Sequence, residues 1–127
     1  MPYETHWEPH GIRWVYTGEV TDEDLIRANQ ELYEDPRFLA IRYEIADFRN
    51  ITGAAARSET VTLVGDMDRE EAARNPDVKV AILGATPLIT GLTRMYAMSG
   101  GDAVWDVRIF ETEEEARKWI GVGPSGD

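Results

Sequence analysis

The chain has 127 residues, a formal net charge of −11 and no cysteine. That length suits one domain with a real core. The charge makes nucleic-acid backbones and anionic membrane surfaces poor partners, and the lack of cysteine excludes disulfides, thiol catalysis and thiolate metal sites. No stretch has the length of a membrane span. The acidic start, Met1-Pro2-Tyr3-Glu4, has no signal-peptide pattern, so a cytoplasmic protein is expected. Lys79 and Lys118 are the lysines, and arginine supplies the other cations. Such a surface fits either salt adaptation or a GC-rich genome.

Tyr3 to Trp7 reads as a short strand, Glu8-Pro9-His10-Gly11 as a turn, and Ile12 to Thr17 as the second arm of a hairpin. Thr21 is a good helix N-cap with Asp22, Glu23 and Asp24 in the first turn. Leu25, Ala28, Asn29 and Leu32 recur at helical spacing, and Asp35-Pro36 stops that helix. Leu39, Ile41, Tyr43 and Ile45 alternate with Ala40, Arg42, Glu44 and Ala46. This predicts a third strand with one apolar and one polar face, running into a loop over Asp47 to Gly53.

Ser58 is the expected cap of a second helix whose inner stripe is Val61, Val64, Met67 and Ala72, and Asn75-Pro76 ends it. Val78 to Leu83 forms the next strand. Thr86-Pro87 opens a third helix with proline at its first position, and Ser99-Gly100-Gly101 closes it. Val104 to Phe110 is a last strand, and Thr112 with Glu115 makes a capping box for a fourth helix. Repeated β-α units give an α/β single domain with a mostly parallel sheet. Charged residues on the strands (Arg13, Arg42, Glu44, Lys79, Asp106, Arg108) suggest helices mainly on one face.

This order of elements resembles the SpoIIAA-like proteins of the STAS superfamily, particularly the small stand-alone STAS/SEC14-like bacterial group. The likeness is carried by Asp47-Phe48-Arg49, by Arg74-Asn75-Pro76-Asp77-Val78-Lys79-Val80-Ala81-Ile82 and by Gly91-Leu92-Thr93-Arg94-Met95-Tyr96. Val107-Arg108-Ile109-Phe110-Glu111-Thr112 and Glu114-Glu115-Ala116-Arg117-Lys118-Trp119-Ile120 complete it. It covers about residues 3 to 121, which implies a STAS-like domain over 1–121 and a flexible tail over 122–127. The resemblance implies a non-enzymatic regulatory or interaction module. In the anti-sigma factor antagonists of this superfamily, a serine in an Asp-Ser-Ser-Gly turn is phosphorylated. The corresponding residues here are Asn50-Ile51-Thr52-Gly53. The Asp-Ser half is missing, so Thr52 is not expected to be a phosphosite.

Ligands of open α/β sheets bind at the carboxyl ends of the strands. Asp47, Arg49, Thr52, Gly84 and Thr86 are therefore the candidate ligand or anion site. An aspartate at a strand tip more often accepts loop N–H groups than acts as a functional acid, and Arg49 could bind an anion, pair with Asp47 or sit in solvent. Backbone N–H groups at Gly84 to Thr86 could meet an anion, but there is no Walker lysine and no dinucleotide fingerprint. His6 and His10 lie in the hairpin and suit its surface better than a metal. Asp66, Asp68, Glu70 and Glu71 read as a solvated helix face, with Glu70 and Arg74 as an i,i+4 pair. Ser58 and Ser99 have no histidine placed to activate them. No catalytic residue, metal or cofactor is expected.

The third helix is the candidate interface, because Leu88, Leu92, Met95, Tyr96 and Met98 spread over more than the usual apolar third. The preferred function is a non-catalytic cytoplasmic interaction or regulatory module that self-associates. A second is a carrier of a small apolar ligand or lipid, with that helix lining the pocket. An enzyme acting through Asp47 and Arg49 ranks last.

Overall fold

The computed structural model describes residues 3–54, 58–98 and 105–124, apart from the side chains of Ser58, Ala97 and Met98. Five strands form one sheet in sequence order: β1 (Tyr3–Glu8), β2 (Gly11–Val20), β3 (Tyr43–Ala54), β4 (Lys79–Leu83) and β5 (Asp106–Phe110). The β1–β2 hairpin is antiparallel and every later pairing is parallel. The helices are α1 (Asp22–Glu34), α2 (Ser58–Ala72), α3 (Pro87–Met98) and α4 (Glu113–Ile120).

The helix ends follow local chemistry. Thr21 Oγ1 accepts from Asp24 N at 3.3 Å while Asp24 Oδ2 accepts from Thr21 N at 2.9 Å, a complete capping box. Thr112 caps α4 by accepting from Glu115 N at 3.2 Å. Gly121, at φ 92°, closes α4 in the left-handed conformation that glycine adopts without a Cβ clash.

Two expectations about the third strand change. Leu39 sits in a short 3-10 helix (Pro36–Ala40) and is 53% exposed. The cause is local: Asp35 Oδ1 accepts from Arg37 N at 2.9 Å and Pro36 is preset for a helical start. The segment Asp47 to Gly53 is strand rather than loop. Beyond Asp47, β3 leaves β4 but stays paired with β2 through Thr17–Asn50, Gly18–Ile51, Glu19–Gly53 and Val20–Ala54.

The helices do not all lie on one face. Right-handed crossovers place α1, α2 and α3 together, over Ile12, Trp14, Tyr16, Ala46 and Val80. The last helix follows the final strand, is bound by no crossover, and folds onto the opposite face. There Ala116, Trp119 and Ile120 cover Tyr43, Ile45, Ala81 and Leu83. Both faces of β3 and β4 are therefore covered, and Glu44, expected on a polar face, is buried under the three-helix layer. Asp68 is buried as well, against its reading as part of a solvated acidic run. Arg74 pairs with Glu71 at i,i+3 rather than with Glu70.

Asn75 joins three elements after α2. Its Nδ2 donates to Phe38 O at 2.8 Å and to Ile41 O at 2.9 Å, and Trp105 Nε1 donates to its backbone carbonyl at 2.9 Å. Asn75→Ala strips the donors from two buried carbonyls. We expect a loss of about 2 to 4 kcal/mol in urea unfolding, with an unchanged m-value.

Candidate functional site

The face beneath α4 carries a charged network in which each group already has a partner. Asp47, 1% exposed, accepts from Arg49 N (3.0 Å), Nε (3.0 Å) and Nη2 (2.8 Å). Burial alone would raise its pKa, but the Arg49 guanidinium and N–H hold the carboxyl below its ordinary value. Arg49 Nη2 also lies 3.6 Å from Glu113 Oε1, and Glu113 accepts from Arg117 Nε at 2.8 Å. Arg117 grips both oxygens of Glu8 at 2.9 and 2.6 Å and donates to Gly123 O at 3.1 Å. Burial works to raise Glu8; hydrogen bonds from Arg117 and from the Tyr43 hydroxyl outweigh it and keep the carboxylate ionised. Tyr43 reaches Glu8 because its ring lies over Gly11, where any Cβ would run into it.

The other strand-end residues are also engaged. Gly84, at φ 118°, lies against the Phe48–Arg49 backbone and donates from its N–H to Phe110 O at 3.0 Å. Thr86 caps α3: its Oγ1 accepts from Ile89 N at 3.2 Å and its own N–H donates to Gly84 O at 2.9 Å. Gly84 thus meets the backbone of Arg49, whose side chain pairs with Asp47. Thr52 stands apart, exposed on the part of β3 that pairs only with β2. His6 is exposed, 3.4 Å from Glu4 Oε2. Among the described residues no group of three His, Asp or Glu side chains is placed to hold a metal.

The opposite face is chemically different. Between the sheet and the α1–α3 layer lies an apolar pocket of about 130 Å³. Trp14, Tyr16, Ala46, Phe48, Val80 and Ile82 form its sheet wall, Leu25 and Asn29 come from α1, and Val61 and Val64 from α2. Ile89, Leu92, Thr93 and Tyr96 come from α3. The broad apolar arc of α3 is therefore divided. Leu92 and Tyr96 face the pocket, Leu88 is 44% exposed and Met95 is half-buried. Met98 ends the helix and its side chain lies outside the described ones.

Two acids enter this apolar space, Glu44 from β3 and Asp68 from α2. Glu44 is 3% exposed and Asp68 5%. Glu44 Oε2 and Asp68 Oδ1 have no hydrogen-bond partner among the described residues, while Asp68 Oδ2 accepts from the Tyr96 hydroxyl at 2.6 Å. Burial pushes Glu44 up to about 8. Burial also pushes Asp68 up to about 7; the Tyr96 hydrogen bond works against that rise and neighbouring Glu71 adds to it. Sequence reasoning passed over both acids. A signal existed for Asp68, which falls four residues after Val64 and seven after Val61, on the inner stripe. For Glu44 the signal was its neighbour Ala46, two residues on and itself buried under the three-helix layer.

No family model matches the chain, and no curated protein matches it. Solved structures do. The anti-sigma factor antagonist SpoIIAA in its unphosphorylated form is 16% identical with a TM-score of 0.62, over 94% of this chain and 97% of its own. The phosphorylated form of the Bacillus cell fate determinant SpoIIAA gives 15% and 0.61, over 93% and 98%. An uncharacterised Shewanella loihica protein with a SpoIIAA-like fold gives 16% and 0.54, over 93% and 91%. The antiparallel hairpin, the sequential parallel strands and the four helices are thus the SpoIIAA-like fold.

Proposed function

We propose that the protein is a non-catalytic regulatory module of the SpoIIAA-like fold that takes up a small apolar ligand between its sheet and its three-helix layer. The observation that carries this is the 130 Å³ pocket. Protein interiors are close-packed, with few voids larger than a water molecule, and an apolar cavity of this size accepts a small apolar guest. The charged network supports a non-catalytic role. Asp47 and Arg49 neutralise each other in a bidentate pair, leaving neither an unpaired base nor an open anion site. Regulation is supported by the fold that the chain shares with the anti-sigma factor antagonist. Occupancy of the pocket would be felt by α2 and α3, which touch each other and expose Leu63 and Leu88 outward. That outer surface is the proposed place of self-association.

Xenon pressure tests the pocket directly. Methyl resonances of Val61, Val64 and Leu92 should shift in saturable fashion. Leu92→Trp, which fills the space, should abolish the shifts, and an unresponsive wild type removes the ligand-binding function. Leu88→Glu should lower the sedimentation coefficient at high protein concentration while leaving the melting temperature within about 2 °C, as surface substitutions do.

The buried acids set a pH dependence of stability. Below their ordinary values, 4.5 for Glu44 and 3.8 for Asp68, folded and unfolded chains both hold the protons. Between those values and about 8 and 7, the unfolded chain ionises first. Stability therefore falls as pH rises through this window, by up to roughly 1.4 kcal/mol per pH unit per group. Tyr16, Tyr96 and Glu71 surround these acids and add no positive charge. Urea unfolding from pH 5 to 8 should show the decline, and Glu44→Gln should flatten it.

A further inference from the structure

We propose that the pocket recognises a small primary amine, its ammonium group bridged by Glu44 and Asp68 and its apolar body held among the surrounding side chains. This rests on the ligand-binding function proposed above and adds the chemical class of the ligand. Two carboxyl groups from different elements, each more than nine-tenths buried, carry an oxygen without a partner among the described residues. Native interiors pair almost all such atoms, so both oxygens are acceptors awaiting a donor. They converge on the same rings. Asp68 holds the Tyr96 hydroxyl, Glu44 acts electrostatically on that hydroxyl, and both acids act on Tyr16.

The sign of the site is one-sided. Among the described residues, no arginine, lysine or histidine lines the pocket. Asp47, on the other side of the same strand, carries its own guanidinium; Glu44 and Asp68 have no such counter-charge among the described residues. Among the described residues, an anion would meet two acids and no base. An alcohol or amide would satisfy one oxygen without neutralising either acid. A primary ammonium has three donors and a positive charge, which suits two separate carboxyl oxygens. Trp14 and Tyr16 present aromatic surface in the same wall, a surface that attracts cations. The volume limits the apolar body to about one ring or a branched alkyl group.

Isothermal titration of the full chain at pH 8.5, above the values to which burial raises the two acids, with benzylamine, benzyl alcohol, toluene and benzoate decides the matter, because the four share a ring and differ in the head. Benzylamine should bind at least ten-fold more tightly than toluene or benzyl alcohol, and benzoate should not bind. Glu44→Gln and Asp68→Asn should each weaken benzylamine at least ten-fold and leave toluene within two-fold. Should either variant fail to fold, the wild-type series alone still tests the head-group preference. Equal binding of benzylamine and benzyl alcohol, or an amine preference that survives both substitutions, overturns the amine assignment. Toluene binding without amine preference overturns it while leaving the pocket function standing. Silence from all four probes, with no response to xenon, removes both.

Discussion

From Tyr43 to Asp47 strand β3 is buried on both faces, and it presents one acid to each. Asp47 points under α4 and Glu44 points under the three-helix layer. A buried carboxylate is costly unless paired and hydrogen-bonded. The fold meets that requirement on one face with Arg49, two residues along the same strand, and the pair continues through Glu113 to Arg117 and Glu8. On the other face, among the described residues, only the Tyr96 hydroxyl meets these acids, and it goes to Asp68. The two faces of one strand thus differ in whether the burial of charge is compensated. That difference separates the structural ion network from the binding pocket.

The charged network also explains why so short a helix as α4 stays in place. Eight residues form a marginal helix in isolation. Here Thr112 caps its start, Gly121 closes its end, and Arg117, buried and hydrogen-bonded through all three side-chain nitrogens, ties its middle to Glu8 in the first strand. Ala116 permits close approach to the sheet, and Trp119 and Ile120 cover Tyr43 and its neighbours. Tyr43 in turn touches Glu8 through its hydroxyl and overlies Gly11. Removing the guanidinium would leave Glu8 as a buried, partly unpaired acid, the situation in which ion-pair loss is most destabilising.

The β-α order, the hairpin, the Thr21, Thr86 and Thr112 caps and the Asp35-Pro36 stop were all legible in the sequence, because each depends on near neighbours. The α1 stripe was legible too: Ala28, Asn29 and Leu32 are buried and Leu25 lines the pocket. The extent of β3 was not. Arg49, Asn50, Thr52 and Gly53 look like a loop because their extension is exposed, and only the pairing with β2 makes it a strand. The side taken by α4 is a tertiary choice, free of the crossover rule that fixes the other helices. With it goes the burial of Tyr43 and Ile45 on one face and Glu44 on the other, where local alternation alone reads as inside and outside. The Asp47–Arg49 pair was one of the alternatives the sequence left open; the pocket was not legible, since a void is a property of the sheet and three helices at once.

The sheet grows in strict chain order, so each new strand finds its partner already made. The last-formed cover is different. Until α4 emerges, Tyr43, Ile45, Ala81 and Leu83 form a bare apolar surface on an otherwise complete sheet. Glu8, far back in the chain, waits for Arg117 across 109 positions. An intermediate that has completed the sheet but not yet docked α4 therefore has one adhesive side. Chaperone dependence should track this single late event, in keeping with the aggregation hazard of partly folded sheets.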